Sequence, residues 1–128
     1  MDHLERVRAL RADTTKHYNC AQALLVGFSD VMGISDEQAE ALGANFGSGM
    51  MHGATCGALT GTLMVLGMAG RDRSEGTKAI RHFAEAHGGQ TECRVLLAES
   101  RRRGEVKKDH CDGLVFEMCA YLDEVLDA

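Results

Sequence analysis

The sequence predicts an all-α fold: a compact single-domain bundle of about six to seven helices over residues 1–128. Three observations lead there. The chain has no proline. Its apolar residues recur at three- and four-residue spacings with no period-two alternation. Cap residues and glycines cut it into segments of helical length. With 128 residues, 45% hydrophobic and 26% charged, the chain can bury one core without disulfides.

The elements follow in order. A first short helix covers Leu4 to Ala12, with Leu4, Val7 and Leu10 or Ala9 inward. Asn19 caps a second that runs to about Met32 and ends at Gly33, its apolar stripe being Ala23, Leu24, Leu25, Phe28 and Val31. Ser35 and Gln38 make a capping box for a third, which turns Ala39, Leu42 and Phe46 inward before a break at Gly47, Ser48 and Gly49. Thr55 is expected to cap the fourth, from Cys56 to about Met68, the most apolar segment and therefore central. Asp72 or Ser74 opens the fifth, with Ile80, Phe83 and Ala84 inward and Gly88 and Gly89 at its end. Thr91 caps the sixth, carrying Cys93, Leu96 and Leu97. Asp109 caps the seventh, carrying Cys111, Leu114, Val115, Met118, Leu122 and Leu126.

A formal charge of -5 argues against a nucleic-acid partner, which needs a basic face. The cationic run Arg101 to Arg103 with Lys107 and Lys108 is interleaved with Glu99, Glu105 and Asp109, and reads as a solvated loop. The charged, amphipathic N-terminus has no apolar core of the kind a secretory signal needs, and no stretch is apolar for long enough to span a bilayer. A cytoplasmic location away from membranes is the expectation.

In a reducing compartment, five cysteines are not a static disulfide framework, so metal binding or redox chemistry is favoured. No CxxC or CxxCH occurs, which removes a thioredoxin-like site and covalent haem. Four of the cysteines, Cys20, Cys56, Cys93 and Cys111, fall in the predicted first turns of four helices. There the free amides and the helix dipole favour thiolate, the form that binds soft metals and does redox chemistry. If those helix starts meet, they form a four-thiolate site within a ring of amide donors.

Gly53, Gly57 and Gly61 recur every fourth residue and would form a bare strip, open to a cofactor or to a neighbouring helix. The same strip suggests a homodimer packed through helices. Cys119, mid-helix between Met118 and Leu122, reads as core. His52, Met50 and Met51 could gather soft ligands, but the ordinary reading is core methionines and a histidine on a wet loop. His17 and His110 read as surface residues beside cysteines. No Ser/His/Asp order, phosphate loop or carboxylate pair stands out.

The segments NCAQALL (Asn19 to Leu25), GATCGALTG (Gly53 to Gly61), TECRVLL (Thr91 to Leu97) and HCDGLV (His110 to Val115) occur in order along nearly the whole chain. Together they resemble the redox-active proteins labelled by the pattern C_GCAxxG_C_C, which are similar to the non-haem domain of split-Soret cytochromes c. The sequence departs from that label in reading Cys56-Gly57-Ala58-Leu59-Thr60-Gly61, with cysteine before glycine. The resemblance implies an all-helical redox domain with Cys20, Cys56, Cys93 and Cys111 as its functional set. Similarity to the cytochrome-associated domain implies an iron-sulfur cluster as cofactor.

The leading expectation is therefore an electron carrier or sensor rather than a catalyst. It would hold an iron-sulfur cluster through the four cysteines and exchange electrons with a redox partner protein. A metal-free thiol-disulfide protein using Cys20 and Cys56, a four-thiolate zinc module, and a helical interaction domain with core cysteines remain as alternatives.

Overall fold

A computed structural model describes residues 2–127, in which eight α-helices follow one another: α1 (His3–Ala12), α2 (Cys20–Gly27), α3 (Ser29–Met32), α4 (Asp36–Gly43), α5 (Gly57–Met68), α6 (Arg73–Ala86), α7 (Cys93–Arg102) and α8 (Lys107–Asp127). The all-α class is the one the periodicity predicts. The predicted second helix is divided into α2 and α3 at Phe28, whose backbone leaves the helical region at φ -109° and ψ 20°. That turn drives the Phe28 ring into the core, where His3 stacks on it with ring centroids 4.1 Å apart. Gly33 then ends α3 in the left-handed conformation.

α2 and α5 form the centre of the molecule. Ala21, Ala23, Leu24, Leu25 and Val26 of α2 are buried, as are Ala58, Leu59, Val65 and Leu66 of α5. The two helices meet over small residues. A Cβ added to Gly61 would lie 3.3 Å from the Ala21 carbonyl oxygen and 3.4 Å from Leu24 Cβ, so the backbones approach with almost nothing between them. α8 closes one side with Leu114, Val115, Met118, Cys119 and Leu122, and Cys119 is core as expected, with no exposure. α1 lies across α2 and α8 through Val7. Each large apolar side chain buried this way contributes about 1.5–3 kcal/mol.

Two residues expected inward face solvent. Leu42 is 43% and Ile80 42% exposed. In each case the residue next door on the helix takes the inner position, about 100° away around the axis. Gly43 faces Leu25 on α4, and Ala79 with Phe83 faces the core on α6. Phe46 lies beyond the end of α4 and is half-buried.

Caps explain where four of the helices start. Asp2 accepts from the Glu5 amide, Asn19 and Gln22 form a reciprocal capping box, Ser35 and Gln38 form another, and Asp72 accepts from the Ser74 and Glu75 amides. Thr55, Thr91 and Asp109 do not cap. Cys56 and Glu92 hold the N-cap positions of α5 and α7 without a side-chain cap bond, and α8 begins at Lys107, ahead of Asp109. Main-chain pairing takes the place of the threonine caps. Thr55 and Glu92 form an antiparallel bridge, the Cys56 amide donates to the Thr91 carbonyl at 2.9 Å, and the Cys93 amide donates to the Ala54 carbonyl at 2.6 Å. No helix among the described residues is long and apolar enough to cross a membrane.

Candidate functional site

The fold brings Cys20, Cys56, Cys93 and Cys111 to one chamber of about 100 Å³, which Arg11, Gly49, Gly57, Lys107 and His110 also line. Each cysteine arrives on a different helix. Cys20 is the first residue of α2, and its position is fixed by Asn19, which donates from Nδ2 to the Gly43 carbonyl at 3.0 Å while capping α2. Cys56 is the N-cap of α5, and Cys93 is the first residue of α7. The bridge between residues 54–56 and 91–93 sets these two side by side. Cys111 sits in the second turn of α8 rather than the first, because that helix starts at Lys107.

The wall beside Cys93 is a backbone strap that periodicity does not foresee. Ser48, Gly49, Met50 and Met51 are consecutively left-handed, with φ of 53°, 63°, 57° and 67°. For residues other than glycine this costs about 1–2 kcal/mol each. The strap presses Gly49 onto Cys93: a Cβ there would lie 2.7 Å from Cys93 Cβ and would collide with the Ala54 carbonyl oxygen. Gly49 is thus a site residue that sequence reasoning treated as part of a flexible break. Its signal was the pair of glycines bracketing Met50, Met51 and His52. The methionines are not gap-filling core, since Met50 is 39% and Met51 67% exposed, and His52 is exposed beside them.

Gly53 ends this strap, a distorted π-turn over Gly49–Gly53, with φ 75°, and does not lie on α5, so the strip of three glycines shrinks to Gly57 and Gly61. That strip faces α2 of the same chain. A Cβ on Gly57 would stand 3.0 Å from the Phe46 carbonyl oxygen, 3.2 Å from the Ala21 amide nitrogen and 3.2 Å from Cys20 Cβ. The bare position lets the starts of α2 and α5, and with them Cys20 and Cys56, occupy the same end of the bundle.

The thiols interact with one another. The neighbouring Cys20 thiol pulls the Cys111 thiol down to about 7, helped by the nearby Arg11 and Lys107 charges. The Cys111 neighbour, together with burial, holds Cys20 well above the ordinary thiol value. Burial pushes Cys56 up to about 11, although the amides of Ala58 and Leu59 pull the other way. Cys93 is raised as well, by burial first and then by the neighbouring Cys111. The expectation of lowered values at every helix start is therefore corrected. Desolvation outweighs the helix dipole at Cys56 and Cys93, the Cys111 neighbour followed by desolvation does so at Cys20, and the one lowered thiol is not in a first turn.

Arg11 is a second site residue missed in the sequence. Its guanidinium, whose side chain is 7% exposed, donates from Nε to Asp112 Oδ1 at 2.7 Å and from Nη1 to the Tyr18 carbonyl at 2.8 Å. It ties α1 to α8 and places a fixed cation next to Cys111. Its carboxylate partner, Asp112, lies remote in sequence, so spacing held no signal for it. His17 is exposed as expected. His110 is not a surface residue: its side chain is 7% exposed, and burial lowers its pKa. Among the described residues, no three histidine, cysteine, aspartate or glutamate side chains stand close enough to hold one metal ion. The four sulfurs are neighbours around a chamber rather than the closed shell of a single ion.

A family model described as "Putative redox-active protein (C_GCAxxG_C_C)" matches residues 18–125. No curated protein and no solved structure matches the chain.

Proposed function

The chain belongs to the C_GCAxxG_C_C family of redox-active proteins, and on that footing we propose that its chamber holds an iron-sulfur cluster through Cys20, Cys56, Cys93 and Cys111 and that the protein carries or senses electrons. The observation that supports this reading is the convergence of the four thiols, brought from four helices to one cavity. The donor set suits the group, since thiolates are the usual protein ligands of iron-sulfur clusters. When bound, the cluster would supply a one-electron couple. The chain's own residues would set its surroundings.

Burial of Cys20 and Cys56 keeps water from their sulfurs, and the Ala58 and Leu59 amides favour negative charge on Cys56. Arg11 and Lys107 do the same for Cys111. Gly49 and Gly57 keep side-chain bulk out of the walls beside Cys93 and Cys20. Cys111 also lines an outer groove with Lys16, Lys107 and Lys108, which supports electron exchange with an acidic partner at that edge.

The test is iron and acid-labile sulfide analysis with a visible spectrum on protein purified without oxygen. Iron and sulfide in comparable amounts, lost when any of the four cysteines is changed to serine and kept in Cys119→Ser, would support the cluster. Protein free of iron and sulfide even after anaerobic reconstitution would overturn it.

One observation favours a second reading. Cys20 and Cys111 line the same chamber, and Cys111 perturbs Cys20 more strongly than Cys56 does, so a metal-free thiol-disulfide protein would use that pair ahead of Cys20 with Cys56. The two thiols would lose two protons and two electrons to an external disulfide, which would leave as two thiols. Mild oxidation with a small-molecule disulfide should then lower the free-thiol count by two and give a Cys20–Cys111 peptide. An unchanged count would exclude this reading.

A further inference from the structure

His110 lines the cysteine chamber, and its Nε2 is buried without a hydrogen-bond partner. A buried polar atom left this way costs free energy until a partner arrives. The other ring nitrogen, Nδ1, stands 3.7 Å from Glu105 Oε1. That carboxylate is anchored: Oε1 accepts from Ser100 Oγ at 2.7 Å, and Oε2 accepts from Arg103 Nε at 3.1 Å. It belongs to a separate outer depression, which His110 also lines, so His110 borders both the chamber and the depression that holds the carboxylate.

A fixed anion beside Nδ1 favours the tautomer with its proton on that nitrogen and leaves a bare lone pair on Nε2. An imidazole oriented by a carboxylate at one nitrogen and unprotonated at the other has the arrangement of a metal-ligating histidine. Iron accepts imidazole as well as thiolate. Resting on the cluster reading of the same chamber, we infer that His110 is a metal ligand there through Nε2, in addition to the four thiolates.

The experiment uses full-length protein labelled with ¹⁵N-histidine, reconstituted anaerobically with iron and sulfide, reduced, and examined by pulsed electron paramagnetic resonance. A strongly coupled histidine nitrogen that vanishes in His110→Ala, while iron and sulfide are retained, is the expected result. Incorporated iron and sulfide with no strongly coupled nitrogen would overturn the ligand inference and leave the cluster reading standing.

If no iron or sulfide is taken up, the cluster reading fails, and the same labelled protein decides the inference by nitrogen NMR during addition of Cd²⁺. A pyridine-type Nε2 signal of His110 that shifts on metal addition supports it. A protonated Nε2, or a signal that Cd²⁺ does not move, overturns it.

Discussion

The thiols of Cys20, at the start of α2, and Cys111, in the second turn of α8, line one chamber and push each other's acidity in opposite directions. That opposition divides the cysteines into a reactive member and protected ones. In the metal-free protein Cys111 is held at about 7, so its alkylation rate should rise through neutral pH and level off above it. Cys20, Cys56 and Cys93 should lag. Cys20→Ala removes that neighbour and should shift the Cys111 profile upward. Mass-mapped alkylation as a function of pH checks both outcomes, and equal rates at the four thiols would contradict them.

Cys56 makes stability fall in alkali. Its folded value of about 11 lies above the ordinary value of 9.0, so folding favours the neutral thiol. The contribution is fully present below pH 9 and is lost as pH rises through 11. The loss amounts to about 2–3 kcal/mol, partly shared with the raised Cys20 thiol. Denaturant titrations of the metal-free protein should show this decline, and Cys56→Ser should flatten it.

Gly57 and Gly67 both lie on α5 and should respond oppositely to alanine. At Gly57 the new Cβ meets the Phe46 carbonyl, the Ala21 amide and Cys20, whereas at Gly67 it meets nothing within 4 Å. Gly57→Ala should destabilise by about 1–3 kcal/mol and disturb the Cys20–Cys111 pair. Gly67→Ala should stabilise by up to about 1 kcal/mol through helix propensity. Thermal unfolding of the two variants measures the difference.

Met51 is exposed and left-handed, at φ 67°. Met51→Gly removes the steric cost of that conformation without removing core, and should raise stability by about 1 kcal/mol. Unchanged or lower stability in chemical denaturation would show that the strap is not strained.

Local rules were legible wherever a side chain answers its own helix. Asn19, Ser35 with Gln38, and Asp72 cap as their types and spacing require, and Gly33 ends α3. The threonines failed because the amides near Thr55 and Thr91 are satisfied by each other's main chains, a pairing of remote segments that no local spacing encodes. The four cysteines were recognisable as a set, yet their acidities were misread. Helix position was visible in the sequence, while the burial that overrides it at Cys56 was not. Gly49 was missed because its value lies in a left-handed turn pressed on Cys93, which is a property of the folded strap and not of a period.

The cysteine chamber draws one wall from α2, near the beginning of the chain, and another from α8, its last helix. A growing chain therefore has no complete chamber until α8 has been made and has docked, because Cys111 has nothing to close against before then. Contacts this distant in sequence form late and pay the full entropy of loop closure first. Whatever the chamber receives must be delivered after α8 has been made, and a chain truncated before α8 would keep three of the cysteines with no assembled place for a guest.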